Sequence, residues 1–504
     1  MRGCPIPYLA SLEVDQRQNF IQQADTLREM IGASGLISLS VPIAEEVSAK
    51  FPTVKLFWPV SGVLRFRAGD LDPLYRCLRE IRLRLEDAGL TSSIGIVELG
   101  PDLDAANVAI DRKVRQRKDS KSGAVARPSS PYFAPCGIQP QLPANHWRPH
   151  QRQNDARRRL TSHPAERRRL EHTRSEEVMY RRLNRRELKI PYQMQNLVVS
   201  SKDSYIAVIK ADVDGLGRLL AELHFRQLGV QLGLDPIDAS TEFTKALDFC
   251  VKEAALAVMN ELSERHAPGN RHYPFVPLIL AGDDLLILAQ RHLALDLVWH
   301  LNRRYHEEAA RHPVLRQAFA VSGMSNQESL TLSFGVLFCK QGFPFDAGVD
   351  MAEELVHSAK HLRHQLAPEQ KEGCVDFHWL ASSGRESVAE ARCKGEIYRD
   401  GDDLFSLVTR PWRCSELDHH VPAAHAFATL PSRKAHQLDT VLRLGATLSG
   451  LAWKKWLASL QAEERAPFQD TPWLAAQGNN YSTHWLDVAQ MAETMRLSQE
   501  DPSA

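Results

Sequence analysis

The sequence lacks net charge, closely spaced cysteines and long apolar runs, and each absence excludes a class of protein. Its 504 residues include 62 basic and 62 acidic side chains, so the chain as a whole is not strongly basic like many nucleic-acid-binding proteins. None of the eight cysteines forms a C-x-x-C pair, which argues against a zinc ribbon or a disulfide framework and favours a reducing compartment. No apolar run reaches the roughly 18 residues of a membrane span. We therefore expect a cytoplasmic protein without a membrane partner.

The zero net charge hides two parts of opposite sign. Residues 112–189 contain 21 basic and seven acidic residues, a net charge of +14, and the remainder carries −14. Two interpretations of this basic segment stay open, a solvated linker and an RNA-facing surface. The second is favoured by the excess of arginine over lysine in 148–189, because arginine binds phosphate in a bidentate way. Residues 113–131 are predicted to form a loop, and 154–189 a solvated helix or a mobile insertion.

The predicted elements follow the order β-α-β-β-α-β on each side of the basic segment. Each copy has an apolar strand, a helix, a hairpin, a second helix and a last strand. We interpret this pattern as an internal duplication of one α+β domain. The predicted strands and hairpins lie at 8–14, 54–68 and 93–100 in the first copy, and at 205–215, 274–290 and 330–338 in the second.

The two copies differ in the acids at their hairpins. The tip of the first hairpin reads Ser61–Gly62 without an acid, so the first copy is expected to be catalytically silent. The aligned pairs are Tyr8 with Tyr205, Ala10 with Ala207 and Asp15 with Asp212.

Two acidic motifs follow apolar strands in the second copy. In Ala211–Gly217, a strand delivers Asp212 to its end, and two glycines allow a tight turn whose N–H groups suit phosphate. In Ala281–Asp284, a hairpin turn carries two adjacent carboxylates, which repel one another. Each motif alone is more typical of an ordinary turn. Together, at neighbouring strand ends, they predict divalent metal shared with substrate phosphates, and so a two-metal reaction on a nucleotide.

Two later features add to this prediction. Ser333 begins a Ser-Phe-Gly sequence on the last strand, and Lys360 ends a Ser-Ala-Lys sequence in the closing helix. A lysine in that helix can reach a triphosphate as a point charge.

The series ADVDGLG, AGDD and LSFG with a trailing AK resembles the palm domains of nucleotidyl cyclases. It is most similar to the large polymerase/cyclase subunit of type III CRISPR effector complexes, whose signature is GGDD. The resemblance covers most of the chain and implies an α+β fold, with two ferredoxin-like palm domains and a helical C-terminal domain. The expected domains are a first palm at 1–111, a basic connecting segment at 112–199, a second palm at 200–372 and the C-terminal domain at 373–504.

In that family, the second palm polymerises ATP into cyclic oligoadenylates when the complex holds foreign RNA. The resemblance implies ATP as substrate, two Mg²⁺ or Mn²⁺ ions, and other complex subunits with guide and target RNA as partners. It makes Asp212, Asp283 and Asp284 catalytic metal ligands, together with the Val213 carbonyl. The nucleotide-binding residues that it implies are Ser34, Asp214, Gly215, Gly217, Gly282, Ser333 and Lys360.

The sequence departs from the family pattern in two respects. Ala281 replaces the first glycine of GGDD, which leaves open a catalytically inactive scaffold that binds RNA and partner subunits. The family often carries an N-terminal HD nuclease, but this chain contains no His-Asp dipeptide, so we expect the form without the nuclease. A stand-alone cyclic dinucleotide synthase is a third interpretation, against which stand the duplicated palm and the helical C-terminus.

Overall fold

The structure is a computed structural model that describes most of the chain. The described residues are 7–24, 26–100, 103–121, 136, 142, 144, 146–149, 158–183, 188–198, 204–266, 271–323, 330–367, 370–380, 387–465, 468, 471–477 and 480–496.

The first unit is an antiparallel sheet with helices on both faces. Its elements are β1 (Tyr8–Val14), α1 (Arg17–Gln22), α2 (Leu27–Ser38), α3 (Ser40–Ser48), β2 (Val54–Val60), β3 (Val63–Ala68), α4 (Leu71–Asp87), β4 (Ser92–Glu98) and α5 (Leu103–Lys121). The strand order is β2-β3-β1-β4. Most of β1 is buried because helices cover the sheet on both sides.

One helical stretch of this unit, Leu27–Ser48, is long and apolar enough to cross a membrane by length and composition alone. It comprises α2 and α3, and half of its most apolar window is buried inside the molecule. The expected absence of a membrane partner stays a prediction.

A basic connecting segment follows the first unit. Its described elements are β5 (His146–Pro149), β6 (Arg158–Thr161) and α6 (His163–Leu183). Helix α6 lies along α2 so closely that a Cβ at Gly32 would collide with the Arg168 carbonyl oxygen. The Arg168 side chain is fully buried, with its guanidinium 4.9 Å from the centre of the Phe20 ring. Of the two predictions for 154–189, the structure has a helix, α6, but one of its faces is packed into the protein and only the other is solvated.

The second unit repeats the α+β arrangement around a larger sheet. Its elements are β7 (Tyr205–Asp214), α7 (Leu216–Glu222), α8 (Phe225–Leu232), α9 (Pro236–His266), β8 (Phe275–Ala281), β9 (Asp284–Gln290), α10 (Ala294–Arg311), α11 (Pro313–Ser322), β10 (Thr331–Lys340), α12 (Phe345–Gln365) and β11 (Cys374–Trp379). Strand β11 pairs with β10 in parallel.

The C-terminal region is mainly helical but also contains strands. Its elements are α13 (Val388–Gly395), β12 (Ile397–Asp400), β13 (Asp403–Ser406), β14 (Trp412–Arg413), α14 (Leu417–Ala428), α15 (Ser432–Leu442), α16 (Gly445–Ala458), α17 (Ala462–Arg465), β15 (Leu474–Gln477), β16 (Asn480–Ser482) and α18 (Trp485–Met495). Strand β14 completes the six-stranded sheet β14-β11-β10-β7-β9-β8, and the other four form the sheet β12-β13-β16-β15.

Two predicted boundaries cut through elements of the structure. The boundary at 111 falls inside α5, so the part of the predicted 113–131 loop up to Lys121 is helical and the rest lies outside the described residues. The boundary at 372 separates β11 from the sheet to which it belongs. Helix α5 is rich in charged residues and has few apolar ones, so its sequence shows little apolar periodicity of a helix.

The two units share one strand order, as the predicted duplication requires. The order β2-β3-β1-β4 in the first unit is repeated as β8-β9-β7-β10 in the second. Each central hairpin closes with a two-residue turn, between Val60 and Val63 in the first unit and between Ala281 and Asp284 in the second.

The register of the central strands corrects the predicted alignment. Glu13 pairs with Val63, the first residue after the turn of the first hairpin. Asp212 pairs with Asp284, the first residue after the turn of the second hairpin. Glu13 is therefore the counterpart of Asp212, and Asp15 corresponds to Asp214 instead of Asp212. Side chains alternate along a strand with a period of two, so an error of two residues leaves each side chain on its own face. A comparison of apolar patterns cannot detect such an error.

Candidate active site

Two carboxylates face each other across adjacent strands of the second unit. Asp212 on β7 is the direct partner of Asp284 on β9. Side chains in such antiparallel pairs have Cβ atoms about 4.5–5.5 Å apart and lie on the same face of the sheet. Because like charges placed directly opposite are destabilising, this pair favours the binding of a cation. Asp283 lies in the turn just before Asp284.

The turn that carries these acids is held from two sides. Gly282 has a φ of 64°, a conformation that glycine adopts without strain. Its N–H donates to Asp248 Oδ1 at 3.2 Å, and Lys252 on the same helix binds the other oxygen of Asp248 at 2.6 Å. The Val213 N–H donates to the Asp283 carbonyl at 3.0 Å. The acids are thus presented by a fixed backbone.

Asp283 is the acid with the clearest electrostatic perturbation in this turn. Its side chain reaches solvent, yet the protein atoms packed around it raise its pKa, and repulsion from Asp212 and Asp284 raises it further. A higher pKa means that the ionised form is disfavoured in the protein alone. A bound cation would offset this repulsion.

Lys360 approaches the carboxylates from α12. Its Nζ forms an ion pair with Asp212 Oδ2. The structure therefore brings together Lys360, Asp212 and Asp284, as predicted from the sequence. Contact between Lys360 and a triphosphate stays a prediction.

Asp214 and Ser333 lie on the neighbouring strands β7 and β10. Both side chains are buried, and Ser333 Oγ donates to Asp214 Oδ2 at 2.8 Å. Thr331 also donates to Asp214, and Arg363 of α12 lies 3.6 Å from it. Burial raises the pKa of Asp214 to about 6, against the opposing effect of Arg363. The predicted nucleotide contact stays a prediction for both buried residues, which in the structure hold the end of β7 to β10 and α12.

The glycines after Asp214 leave room beside the carboxylates. Gly215 has a φ of 77° and is the N-cap residue of α7. A Cβ at Gly217 would meet no atom within 4 Å. This space is compatible with the predicted phosphate turn, and the phosphate contact itself stays a prediction.

The first unit reaches into the site of the second. Gln18 on α1 donates from Nε2 to Asp284 Oδ2 at 3.1 Å. The hairpin tips of the two units lie side by side, since a Cβ at Gly282 would lie 3.8 Å from Val60. Ser34 on α2 lines a cavity of about 590 Å³ between the units, together with Asp248. The structure thus places Ser34 near the second unit, with the site at the boundary of both.

Comparison with known proteins identifies the second unit. Residues 205–367 match the family model described as Cas10/Cmr2, second palm domain. The second unit therefore has the fold of that domain and is called the second palm domain below. The matched segment contains both acidic motifs and Lys360, and the predicted resemblance is confirmed.

Solved structures extend the comparison beyond the second palm domain. Csm1 in T. onnurineus aligns over 98% of this chain and 70% of its own, with a TM-score of 0.54 at 13% identity. A Csm1–Csm4 cassette in complex with cA3 aligns over the same shares, with a TM-score of 0.52 at 14% identity. A cassette in complex with cA4 is matched over 72% of this chain and only 54% of its own, with a TM-score of 0.41 at 15% identity. No curated protein matches the sequence.

The first unit repeats the scaffold of the second palm domain without its turn acids. Glu13, the counterpart of Asp212, forms an ion pair with Lys118 at 2.6 Å on the closing helix α5. Ser93 donates to Asp15 at 2.7 Å, as Ser333 does to Asp214. The hairpin has Gly62 and Val63 where the second palm domain has Asp283 and Asp284. The catalytic silence of the first unit stays a prediction, and the missing turn acids agree with it.

The carboxylates of the second palm domain fit a divalent cation by donor type. Their oxygens are the ligands that Mg²⁺ and Mn²⁺ prefer. Among the described residues, however, no three acidic, histidine or cysteine side chains are gathered closely enough to hold a metal alone. Asp212 is instead engaged by Lys360. Backbone carbonyls and substrate phosphates would have to complete the coordination, which is common for Mg²⁺ bound with nucleotides.

Sequence reasoning missed two residues that support the second palm domain. Gln18 binds Asp284 from the first unit, and Asp248 fixes the turn at Gly282. Gln18 lies just after the end of β1. In the corrected alignment this position corresponds to the turn after Asp214, and that correspondence is the signal in the sequence that could have indicated Gln18.

Proposed function

We propose that the second palm domain polymerises ATP into cyclic oligoadenylates as part of a type III CRISPR effector complex in the cytoplasm. The observation that carries the proposal is the pairing of Asp212 with Asp284, beside Asp283, in a segment that matches the Cas10/Cmr2 second palm. A cassette of the same fold has been solved in complex with cA3, which supports this class of product.

The residues of the site have distinct roles in this proposal. Asp212, Asp283 and Asp284, with the Val213 carbonyl, would hold two Mg²⁺ or Mn²⁺ ions shared with the triphosphate. When bound, such ions lower the pKa of the attacking hydroxyl and neutralise the leaving pyrophosphate. Lys360 would exchange Asp212 for a phosphate oxygen, since both are anions within reach of one flexible side chain.

The remaining residues prepare the site for the nucleotide. Gln18 donates to one carboxylate oxygen of Asp284, which leaves the other oxygen to bind a cation. Gly215 and Gly217 provide an open turn for phosphate, and Gly282 permits the sharp bend that presents Asp283. Ser34 would contact the nucleotide from the cavity between the units.

Other subunits, guide RNA and target RNA are the proposed partners. The similar structures are Csm1 and Csm1–Csm4 cassettes, which supports binding to a second subunit. The chain spans between about half and 70% of the chains matched, so the partners of the whole assembly are part of the proposal.

An inactive scaffold is the second candidate function. Two observations favour it, the engagement of Asp212 by Lys360 and the lack of a gathered three-ligand group among the described residues. The substitution of Ala281 for the glycine of GGDD is a third. In this case the same fold would serve to bind RNA and partner subunits.

Synthesis from ATP separates the two candidates. The protein is incubated with ATP and Mg²⁺ or Mn²⁺, with and without partner subunits and target RNA, and products are identified by mass spectrometry. We expect cyclic oligoadenylates from the wild type and none from the Asp283→Ala/Asp284→Ala variant. We also expect Ala281→Gly, which restores GGDD, to increase the rate. Absence of product from both the wild type and Ala281→Gly under every condition would leave the scaffold function.

A further inference from the structure

The outer edge of the first sheet opens into a basic groove. Strand β4 is the last strand of that sheet within the described part of the chain. A cavity of about 950 Å³ lies beside it, with Arg79 and Arg82 of α4 on one wall and Lys113 and Arg117 of α5 on the other. Ile96 of β4 contributes to its floor. The groove therefore follows a strand edge between two helices.

The same position is filled in the second unit. There β10 pairs in parallel with β11, from Phe334 with Val375 to Phe338 with Trp379. Strand β10 is buried along almost its whole length, whereas β4 is half-exposed or exposed at Ile96 and beyond. The groove of the first unit thus occupies the place that β11 takes in the duplicated copy.

The glycines of the two last strands fix this correspondence. Gly95 of β4 lies against Ile110 and Val114 of α5 with no room for a Cβ. Gly335 of β10 lies in the same way against α12. The β4 stretch equivalent to the β11-paired part of β10 is therefore Ile94–Glu98.

The walls of the groove are basic and therefore favour a negatively charged ligand. Five basic residues line it, and Asp72 is the one acidic residue among the described lining residues. Arg79 and Arg117 form no ion pair with another described residue. Successive side chains of a strand point to opposite faces, so unpaired arginines on both walls suit carboxylates at neighbouring positions of an added strand.

We propose that this groove binds a β-strand of a partner protein, added to β4 along Ile94–Glu98, with acidic side chains directed to the arginines of α4 and α5. Strand addition satisfies the free backbone groups of a sheet edge and takes its specificity from flanking pockets. Lys113 now donates to the Ile96 carbonyl at 2.9 Å, a contact that protects the edge and that the added strand replaces. Lysine side chains commonly protect an unpaired strand edge from pairing with another strand.

The test uses a short synthetic peptide that repeats Val-Glu-Glu, so that glutamates face both walls when the peptide is an extended strand. Binding to the full chain is measured by fluorescence anisotropy, and backbone protection by hydrogen–deuterium exchange over residues 94–98. We expect saturable binding that slows exchange at β4. The Arg79→Glu/Arg117→Glu variant should bind about tenfold or more weakly, because it reverses the charge of both walls. Arg115→Glu is the matched control, since Arg115 is exposed on α5 but does not line the groove.

Three comparisons can overturn the proposal. A peptide of equal charge with proline in place of valine cannot pair with a strand edge, so its equal binding would contradict strand addition. Hydrogen–deuterium exchange at residues 94–98 that is unchanged by the peptide would also contradict strand addition. Binding of oligouridylate RNA without binding of the peptide would make the groove a phosphate-binding surface instead. The Asp283→Ala/Asp284→Ala variant should bind the peptide like the wild type, so this proposal stands or fails apart from catalysis.

Discussion

Gln18 is a residue of the first unit whose side chain binds an acid of the second. Its Nε2 lies 3.1 Å from Asp284 Oδ2, and a hydrogen bond to a charged group contributes about 1.5–3 kcal/mol. The contact is partly exposed, so the lower part of that range applies. Gln18→Ala should reduce the rate of oligoadenylate synthesis by about tenfold, because Asp284 loses the donor that orients it.

The control for this prediction lies one residue away. Asn19 is on the same helix but its side chain bonds Gln16 and not an acid of the second unit. Asn19→Ala should leave the rate of synthesis unchanged, and Gln18→Glu should reduce it more than Gln18→Ala by adding a fourth carboxylate to the site. Equal rates for Gln18→Ala and the wild type would show that Asp284 needs no contribution from the first unit.

The acids of the site could be predicted from sequence, whereas their supports could not. Asp212 and Asp284 belong to short motifs whose chemistry is local, so their types and spacing were informative. Gln18 depends on how two distant units dock, which no local pattern encodes. Asp214 shares a strand face with Asp212, and only the tertiary structure shows that its side chain is buried and lies 3.6 Å from Arg363.

At the scale of elements, the closing helix of each unit packs on a glycine of the last strand. A Cβ at Gly335 would collide with the Ala352 carbonyl and the Val356 N–H, both of them backbone groups. A Cβ at Gly95 would instead come within 2.9 Å of a side-chain methyl of Val114. Backbone atoms of a helix cannot move aside as easily as a side-chain methyl can. We therefore expect alanine to be tolerated less well at position 335 than at position 95.

Gly335→Ala should therefore destabilise the protein much more than Gly95→Ala. We expect losses of about 3 kcal/mol and about 1 kcal/mol, within the range found for overpacked sites. The measurement is the shift of the urea unfolding midpoint, with Gly342→Ala as the control because a Cβ there meets no atom within 4 Å. Similar shifts for Gly335→Ala and Gly95→Ala would contradict the proposed packing of α12.

Elements with strong apolar patterns were predicted from sequence, and charged or short ones were not. The strand predicted at 8–14 matches β1, because its apolar residues are buried on both faces. Helices α5 and α6 could not be predicted in full because charged residues are frequent in them, although their buried faces follow helical spacing. Strand β11 was assigned to the next domain because a parallel partner distant in sequence leaves no local signal.

At the scale of the whole molecule, the units share one interior. Buried apolar residues form a continuous cluster from Ala10 in the first unit to Met495 in the last helix. Helix α6 of the basic segment takes part in this interior through Tyr180 and Leu183. The positive charge that cancels the acidic remainder is thus carried partly by a helix that joins the units, in which Arg168 is buried and Arg174, Arg181 and Arg182 are exposed.

The docking of α6 on α2 makes a further prediction about the assembled molecule. A Cβ at Gly32 would collide with the Arg168 carbonyl, which belongs to the backbone of α6. Gly32→Ala should displace α6 from α2, lower the melting temperature and speed tryptic cleavage within residues 163–183. It should also slow synthesis, because Ser34 and Gln18 lie on or beside the displaced helix pair. Gly69→Ala is the control, since a Cβ there meets no atom within 4 Å, and equal cleavage rates for the two variants would refute a docked α6.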